Sequence, residues 1–202
     1  MKKAIEEEEK SGLQYKLYHK KAQEDGKQKV ANTFFGLRES TQRIVRNLKR
    51  ALKREGLEPQ EVAEQEKAAK TAITKNNIER ALRKAEVLYA KTYRELLKGI
   101  ENQLNQENYT KDDDAAIYAL NWARMVQKTH VQVLSLVSKS LEKQGAFQSQ
   151  KVDEDNVFVC EVCGNLIYGV PERLCPVCDN PPDFYKVVVE QGKEILEEGQ
   201  KR

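Results

Sequence analysis

Four cysteines are the residues in this chain whose type and spacing point to chemistry without help from anything else. They form two pairs, Cys160-x-x-Cys163 and Cys175-x-x-Cys178, with eleven residues between the pairs and no cysteine left over. A Cys-x-x-Cys pair puts two thiolates on one tight turn, and two such turns close a tetrahedron of four sulfurs around one ion. A segment this short has too little apolar volume to fold unaided, so bound metal would supply much of its folding free energy. Gly164 follows Cys163 and Asp179-Asn180 follows Cys178, where each knuckle turns back. Gly adopts the left-handed backbone needed there at little cost, and Asp and Asn tolerate it. A tetrahedral set of four sulfurs suits zinc and iron alike. Val162, Leu166, Val177 and the neighbouring aromatics would shield the sulfurs, which favours iron as a redox centre and leaves zinc as the substitute.

The rest of the chain is of another kind. Of 202 residues, 33% are charged and 39% apolar, with only 10 Gly and 5 Pro. That is the profile of long solvated helices. The longest near-apolar run, Val131 to Val137, is interrupted by polar side chains, far short of the roughly 18 residues that a membrane span needs. The start, Met1-Lys2-Lys3-Ala4-Ile5 and four Glu, has no apolar signal core, which predicts a cytoplasmic protein with reduced thiols and no membrane partner. A net charge of +3 does not by itself call for a polyanionic partner. Only Pro59 interrupts the first 170 residues, whereas Pro171, Pro176, Pro181 and Pro182 sit among the cysteines. The expected organisation is a helical bundle over 1–147, a polar linker over 148–156, a four-cysteine domain over 157–186 and a charged helical tail over 187–202.

Four helices are expected upstream. The first runs from about Lys3 to Glu24 with Leu13, Tyr15, Leu17 and Tyr18, and stops at Asp25-Gly26. The second runs from about Lys27 to Arg54 on a stripe of Val30, Phe34, Leu37, Thr41, Ile44, Leu48 and Leu52. A third region spans about Glu61 to Gln103, broken near Thr74 to Asn77, where Asn76-Asn77 could cap a fresh start. The fourth spans about Asp113 to Lys143, opened by a capping-box-like Thr110-Lys111-Asp112-Asp113, with Ile117, Leu120, Ala123, Val126, Gln127, His130, Val133, Leu134 and Val137 turned inward. Helices of this length, each with one apolar stripe, bury a common core by packing as a four-helix bundle.

The cysteine segment, with Cys163-Gly164, Cys175-Pro176-Val177-Cys178 and the closing Pro181…Phe184, resembles the rubredoxin-like C-terminal domain of rubrerythrins. Asn165 departs from that pattern, which has an aromatic there. The likeness extends upstream through Tyr15-Lys-Leu-Tyr-His-Lys-Lys-Ala-Gln-Glu-Asp-Gly26. It implies a ferritin-like four-helix bundle, iron in the four-cysteine site, one-electron transfer to or from an unnamed redox partner protein, and a homodimer in which the small domain of one subunit lies near the bundle of the other. It also implies a di-iron site in the bundle, and there the carry-over mostly fails. Glu8 matches the helix-one Glu, but the helix-two ligand positions fall on Thr41 and Ile44, and the helix-three carboxylates on Ala85 and Leu88. On helix four, Gln127-Lys-Thr-His130 keeps the His and replaces the Glu. The bundle site therefore reads as degenerate.

Two other readings stay open. One is a peroxide-reducing enzyme with a residual bundle metal held by Glu8, Glu86 and His130. The bland account of His130 is a neutral core histidine bonded to Gln127 or a tyrosine, and of His19 a surface or interface residue. The other is a non-redox zinc-knuckle protein working through the basic strip of Arg43, Arg46, Lys49, Arg50, Lys53 and Arg54, with nucleic acid or an acidic protein as partner. No Ser/His/Asp set or phosphate loop appears, so no catalytic residue is assigned.

Overall fold

The computed structural model describes residues 1–58, 72–104, 111–142 and 156–188. Helix α1 (Lys2–Glu24) and helix α2 (Gln28–Arg54) form a hairpin that turns at Gly26, whose φ is 67°. The α2 stripe buries as its spacing demands, with Phe34, Leu37, Ile44, Leu48 and Leu52 all within the core. On α1 the buried face is Glu8, Ser11, Tyr15, Tyr18 and Ala22, while Leu13 and Leu17 are only half-buried. His19 is not a surface residue. Its Nδ1 lies 2.9 Å from the Ala31 carbonyl of α2 and its ring packs beside Phe35.

Helix α3 (Thr74–Val87) continues through one π-helical turn, Leu88–Thr92, into helix α4 (Tyr93–Leu104), and the three make a single rod. The expected cap at Asn76-Asn77 sits inside this rod. The helix begins at Thr74 because Asp25 accepts both the Thr74 amide at 3.2 Å and its hydroxyl at 2.6 Å. Asn77 instead reaches back to the Ala72 amide and carbonyl, closing the turn before the helix. Helix α5 (Lys111–Glu142) supplies the fourth rod. The expected helical start at Glu61 and the Thr110 cap, like the linker up to residue 155, lie outside the described residues. Among those residues no helix is long and apolar enough to cross a membrane.

Three short antiparallel strands follow, in the order β2-β1-β3: β1 (Val157–Cys160), β2 (Leu166–Tyr168) and β3 (Tyr185–Val188). Strand β3 runs two residues past the expected domain end at 186, because Val187 and Val188 pair with Phe158 and Val157. The expected tail from 189 onward lies outside the described residues. The sheet packs on α2 and α5 of its own chain.

Candidate metal centre

The two Cys-x-x-Cys turns are built alike. In the first, the Cys160 amide donates to the Asn165 carbonyl and the Gly164 amide to the Cys160 carbonyl, at 2.8 and 2.9 Å. In the second, the Cys175 amide donates to the Asn180 carbonyl and the Asp179 amide to the Cys175 carbonyl, at the same distances. Each turn closes through one left-handed residue, Gly164 at φ 89° and Asp179 at φ 57°. Asp179 is the one non-glycine residue with positive φ among those described. The expectation drawn from Gly164 and Asp179 is met at both knuckles.

These turns bring Cys160, Cys163, Cys175 and Cys178 together with all four Sγ atoms within 4.8 Å of one another. Cys160 and Cys178 are 3.7 Å apart, and Cys163 and Cys175 3.5 Å. A tetrahedron with metal–sulfur bonds of about 2.3 Å has edges of about 3.8 Å, so the thiols already stand at coordination spacing. The donor set fits one zinc or iron ion. Backbone and side-chain N–H groups point at the sulfurs, from the Asn165 amide to Cys163 Sγ and from Asn180 Nδ2 to Cys178 Sγ, both at 3.3 Å. They offset negative charge that four thiolates would otherwise hold near one another. Hydrogen bonds from its neighbours Cys160 and Cys163 hold the Cys175 thiol well below the usual thiol range, while the same interactions push Cys163 far above it.

Helix α2 holds the first knuckle by its carbonyls. Ser40 Oγ donates to the Gly164 carbonyl at 2.5 Å, Asn47 Nδ2 to Val162 at 2.7 Å, and Arg46 to Glu161. Thr33 pairs with the Tyr168 hydroxyl at 2.6 Å. From α5, Thr129 donates to Asn165 Oδ1 at 2.9 Å, and Asn165 Nδ2 donates to the Tyr185 hydroxyl beside the cluster at 2.8 Å. Asn165, the departure from the family pattern, is thus the strut between bundle and knuckle. Thr33, Gly36, Ser40, Arg43 and Asn47 recur at steps of three and four along one face of α2. Sequence reasoning placed Arg43 in the basic strip and missed the rest, which is small and polar rather than apolar.

The basic strip is partly consumed by the fold. Arg46 holds the Glu161 carbonyl, Arg43 pairs with Glu39 and Lys49 with Glu9, both at 2.6 Å. Arg50, Lys53 and Arg54 remain exposed.

In the bundle, Glu8 is fully buried and accepts the Tyr93 hydroxyl at 2.5 Å and both Gln127 Nε2 bonds at 2.9 and 3.0 Å. Tyr93 is the first residue after the π turn. His130 is fully buried too, but its partner is neither Gln127 nor a tyrosine. It is Ser40, whose Oγ lies 2.7 Å from Nε2. Glu86 is exposed on α3, so the residual site of Glu8, Glu86 and His130 is not assembled. Burial cannot bring a carboxylate to the metal from the solvent side of its helix. Thr41, Ile44, Ala85 and Leu88 are all buried at the positions where the resemblance called for ligands.

Burial pushes Glu8 up from 4.5 to about 7, against the hydrogen bonds from Tyr93 and Gln127 that favour its charged form. A folded-state value above the unfolded one means the folded chain binds the extra proton, so stability falls as pH rises from 4.5 to 7. The difference is worth about 3 kcal/mol at 1.36 kcal/mol per unit. Burial lowers His130 to about 3, which gives a slope of opposite sign at acid pH. Urea unfolding of wild type and Glu8→Gln at pH 4 and pH 8 cancels that slope. The variant should gain about 3 kcal/mol relative to wild type between the two pH values.

Solved structures of nigerythrin in its partially reduced, mixed-valence and fully reduced all-ferrous states match with TM-scores of 0.74, 0.73 and 0.74. Each match covers 92% of this chain and 83% of the other, at 18, 17 and 19% identity. This chain has the nigerythrin fold. It is a ferritin-like four-helix bundle followed by a rubredoxin-like knuckle, as the sequence resemblance implied. No family model matches the sequence, and no curated protein matches it.

Proposed function

We propose that this chain is a rubrerythrin-like protein that carries one iron at Cys160, Cys163, Cys175 and Cys178 and passes single electrons through it. The observation that carries this reading is the convergence of four thiols to coordination spacing inside a knuckle clamped to a helical bundle. When bound there, iron supplies a ferric–ferrous couple. The chain's own part is to hold four sulfurs, point N–H groups at them and cover them with Val162, Val177 and Tyr185. A rigid, shielded, hydrogen-bonded sulfur cage changes little between the two charge states, which favours rapid one-electron exchange.

The bundle supports the degenerate reading. Glu8 is the one buried acid among the described residues, and a pair of divalent cations in a dry core needs several carboxylates to neutralise it. The reading includes a redox partner protein in the cytoplasm and a homodimer. Tyr118 and Leu136, exposed on one outer face of α5, offer a second copy an apolar surface to cover.

Elemental analysis after expression in iron-rich medium tests this directly. One iron per chain, with a visible thiolate-to-iron absorption that bleaches on reduction and returns in air, is the expected result. Zinc alone, or two to three irons per chain, would overturn it.

A further inference from the structure

The centre of the bundle carries more polar atoms than it satisfies. Tyr15, Thr41, Gln127 and His130 are each at most 1% exposed. Yet the Tyr15 and Thr41 hydroxyls, Gln127 Oε1 and His130 Nδ1 have no hydrogen-bond partner in the protein. Leaving a buried polar group unmet costs about 1–3 kcal/mol, so four in one core are not tolerated without an occupant.

The four converge. Glu8, Gly12 and Tyr15 share one face of α1, and a Cβ on Gly12 would stand 3.6 Å from the Thr41 methyl of α2. Gln127 and His130 lie one turn apart on α5, and the His130 ring stands edge-on to Tyr15 with centroids 6.4 Å apart. Glu8 is joined to this group through Gln127.

Proton placement then fixes what the occupant must offer. The Gly164 carbonyl can only accept, so the Ser40 hydroxyl proton is spent on it. Ser40 must therefore accept from His130 Nε2–H, and the neutral ring leaves Nδ1 with a bare lone pair. The Gln127 amide hydrogens go to the Glu8 oxygens, so its Oε1 is a second bare acceptor. The remaining two groups are hydroxyls with protons to donate. Two acceptors and two donors are the complement of water, which gives two hydrogens and accepts two. A metal cation would take the lone pairs but leave both hydroxyl protons unmet. The single carboxylate facing it already receives three hydrogen bonds.

We propose that the bundle centre is a water-binding chamber: one or two ordered waters donate to Gln127 Oε1 and His130 Nδ1 and accept from the Tyr15 and Thr41 hydroxyls. The chamber deepens the degenerate reading of the bundle and is independent of what fills the four-cysteine site. Through His130 and Ser40 it is hydrogen-bonded to the Gly164 carbonyl of the first knuckle.

Oxygen-17 magnetic relaxation dispersion of the metal-loaded full chain counts long-lived internal waters. The Tyr15→Phe/Thr41→Val double variant should lose the contribution of at least one such water, with its helical circular dichroism and visible absorption unchanged. An identical dispersion in wild type and variant overturns the proposal. A second measurement needs no variant. Wild-type protein with its four-cysteine site filled is dialysed against Mn(II), and bound Mn(II) is read by electron paramagnetic resonance. No bound Mn(II) supports the water chamber; one tightly bound Mn(II) per chain, with an anomalous peak between Gln127 and His130 in crystals, overturns it. Failure of the iron reading would show instead as zinc or no visible absorption, which leaves these two results readable.

Discussion

Cys163→Ser should strip the metal and unfold the knuckle while leaving the bundle standing. Cys163 is fully buried, next to the clamp that α2 applies to Gly164, so no water can enter to replace the lost sulfur without breaking that contact. The sheet has three strands of three or four residues, and its apolar burial beyond the cysteines comes from Val157, Val159, Leu166 and Tyr185. Four such side chains contribute roughly 6–12 kcal/mol at most. Ordering some thirty residues costs more than that at about 1 kcal/mol or more per residue. Metal binding is therefore a major contribution to keeping the knuckle folded. Metal analysis should find less than a tenth of the wild-type content, the visible absorption should vanish, and protease should cut within 156–188. The helical far-UV signal should persist, because most of the buried side chains in the cluster around Leu48, Leu52, Leu88 and Leu120 come from the helices themselves. Cys178→Ser should be milder. That residue is half-buried, and water can reach the vacated corner. If both variants kept a full complement of metal, the four thiols would not be its ligands.

How much of this was legible beforehand follows from the kind of interaction involved. Cysteine spacing reports on geometry that only a few residues set, so both knuckles could be read down to Gly164 and Asp179. Helices α1, α2 and α5 were visible because their apolar residues recur at three and four; α2 buries the whole stripe expected of it, and α5 all of its stripe but Ile117, which is half-buried. The start of α3 was misplaced because its cap is tertiary. Asp25, at the end of another helix, takes the Thr74 amide, and no local pattern announces that. The π turn left no signature either, since one extra residue per turn is absorbed without a special residue type. For the site, the resemblance singled out Glu8 and His130, but not the partners they have here. Ser40 and Asn165 were invisible as functional residues because a serine in a helix or an asparagine in a turn has many ordinary explanations. Their meaning comes from what is 90 or 36 residues away.

The seat of the knuckle on α2 is the feature most sensitive to a single atom. Gly164→Ala should release the knuckle from the bundle. At φ 89° an L side chain is strained, at about 1–2 kcal/mol. The added Cβ would also stand 2.7 Å from the Ser40 carbonyl oxygen and 3.2 Å from Arg43 Cβ. A backbone oxygen within a helix cannot swing aside, so the overpacking adds about 1–3 kcal/mol. Any shift that relieves it breaks the Ser40–Gly164 bond at the same time. The total, about 4 kcal/mol, should appear as a low-temperature unfolding step of the knuckle separated from that of the bundle. Gly36→Ala is the control for docking without backbone strain. Gly36 is helical, so alanine there gains about 1 kcal/mol of helix propensity, yet its Cβ would press into Val157 and come within 3.0 Å of Leu166. If the two faces belong to one seat, both variants should weaken the same step, with Gly164→Ala the stronger. A glycine in mid-helix is otherwise a loss to the helix, and close approach of the sheet is the reason this one is there. Unfolding of both variants as a single wild-type-like transition would mean that knuckle and bundle do not share this contact in solution.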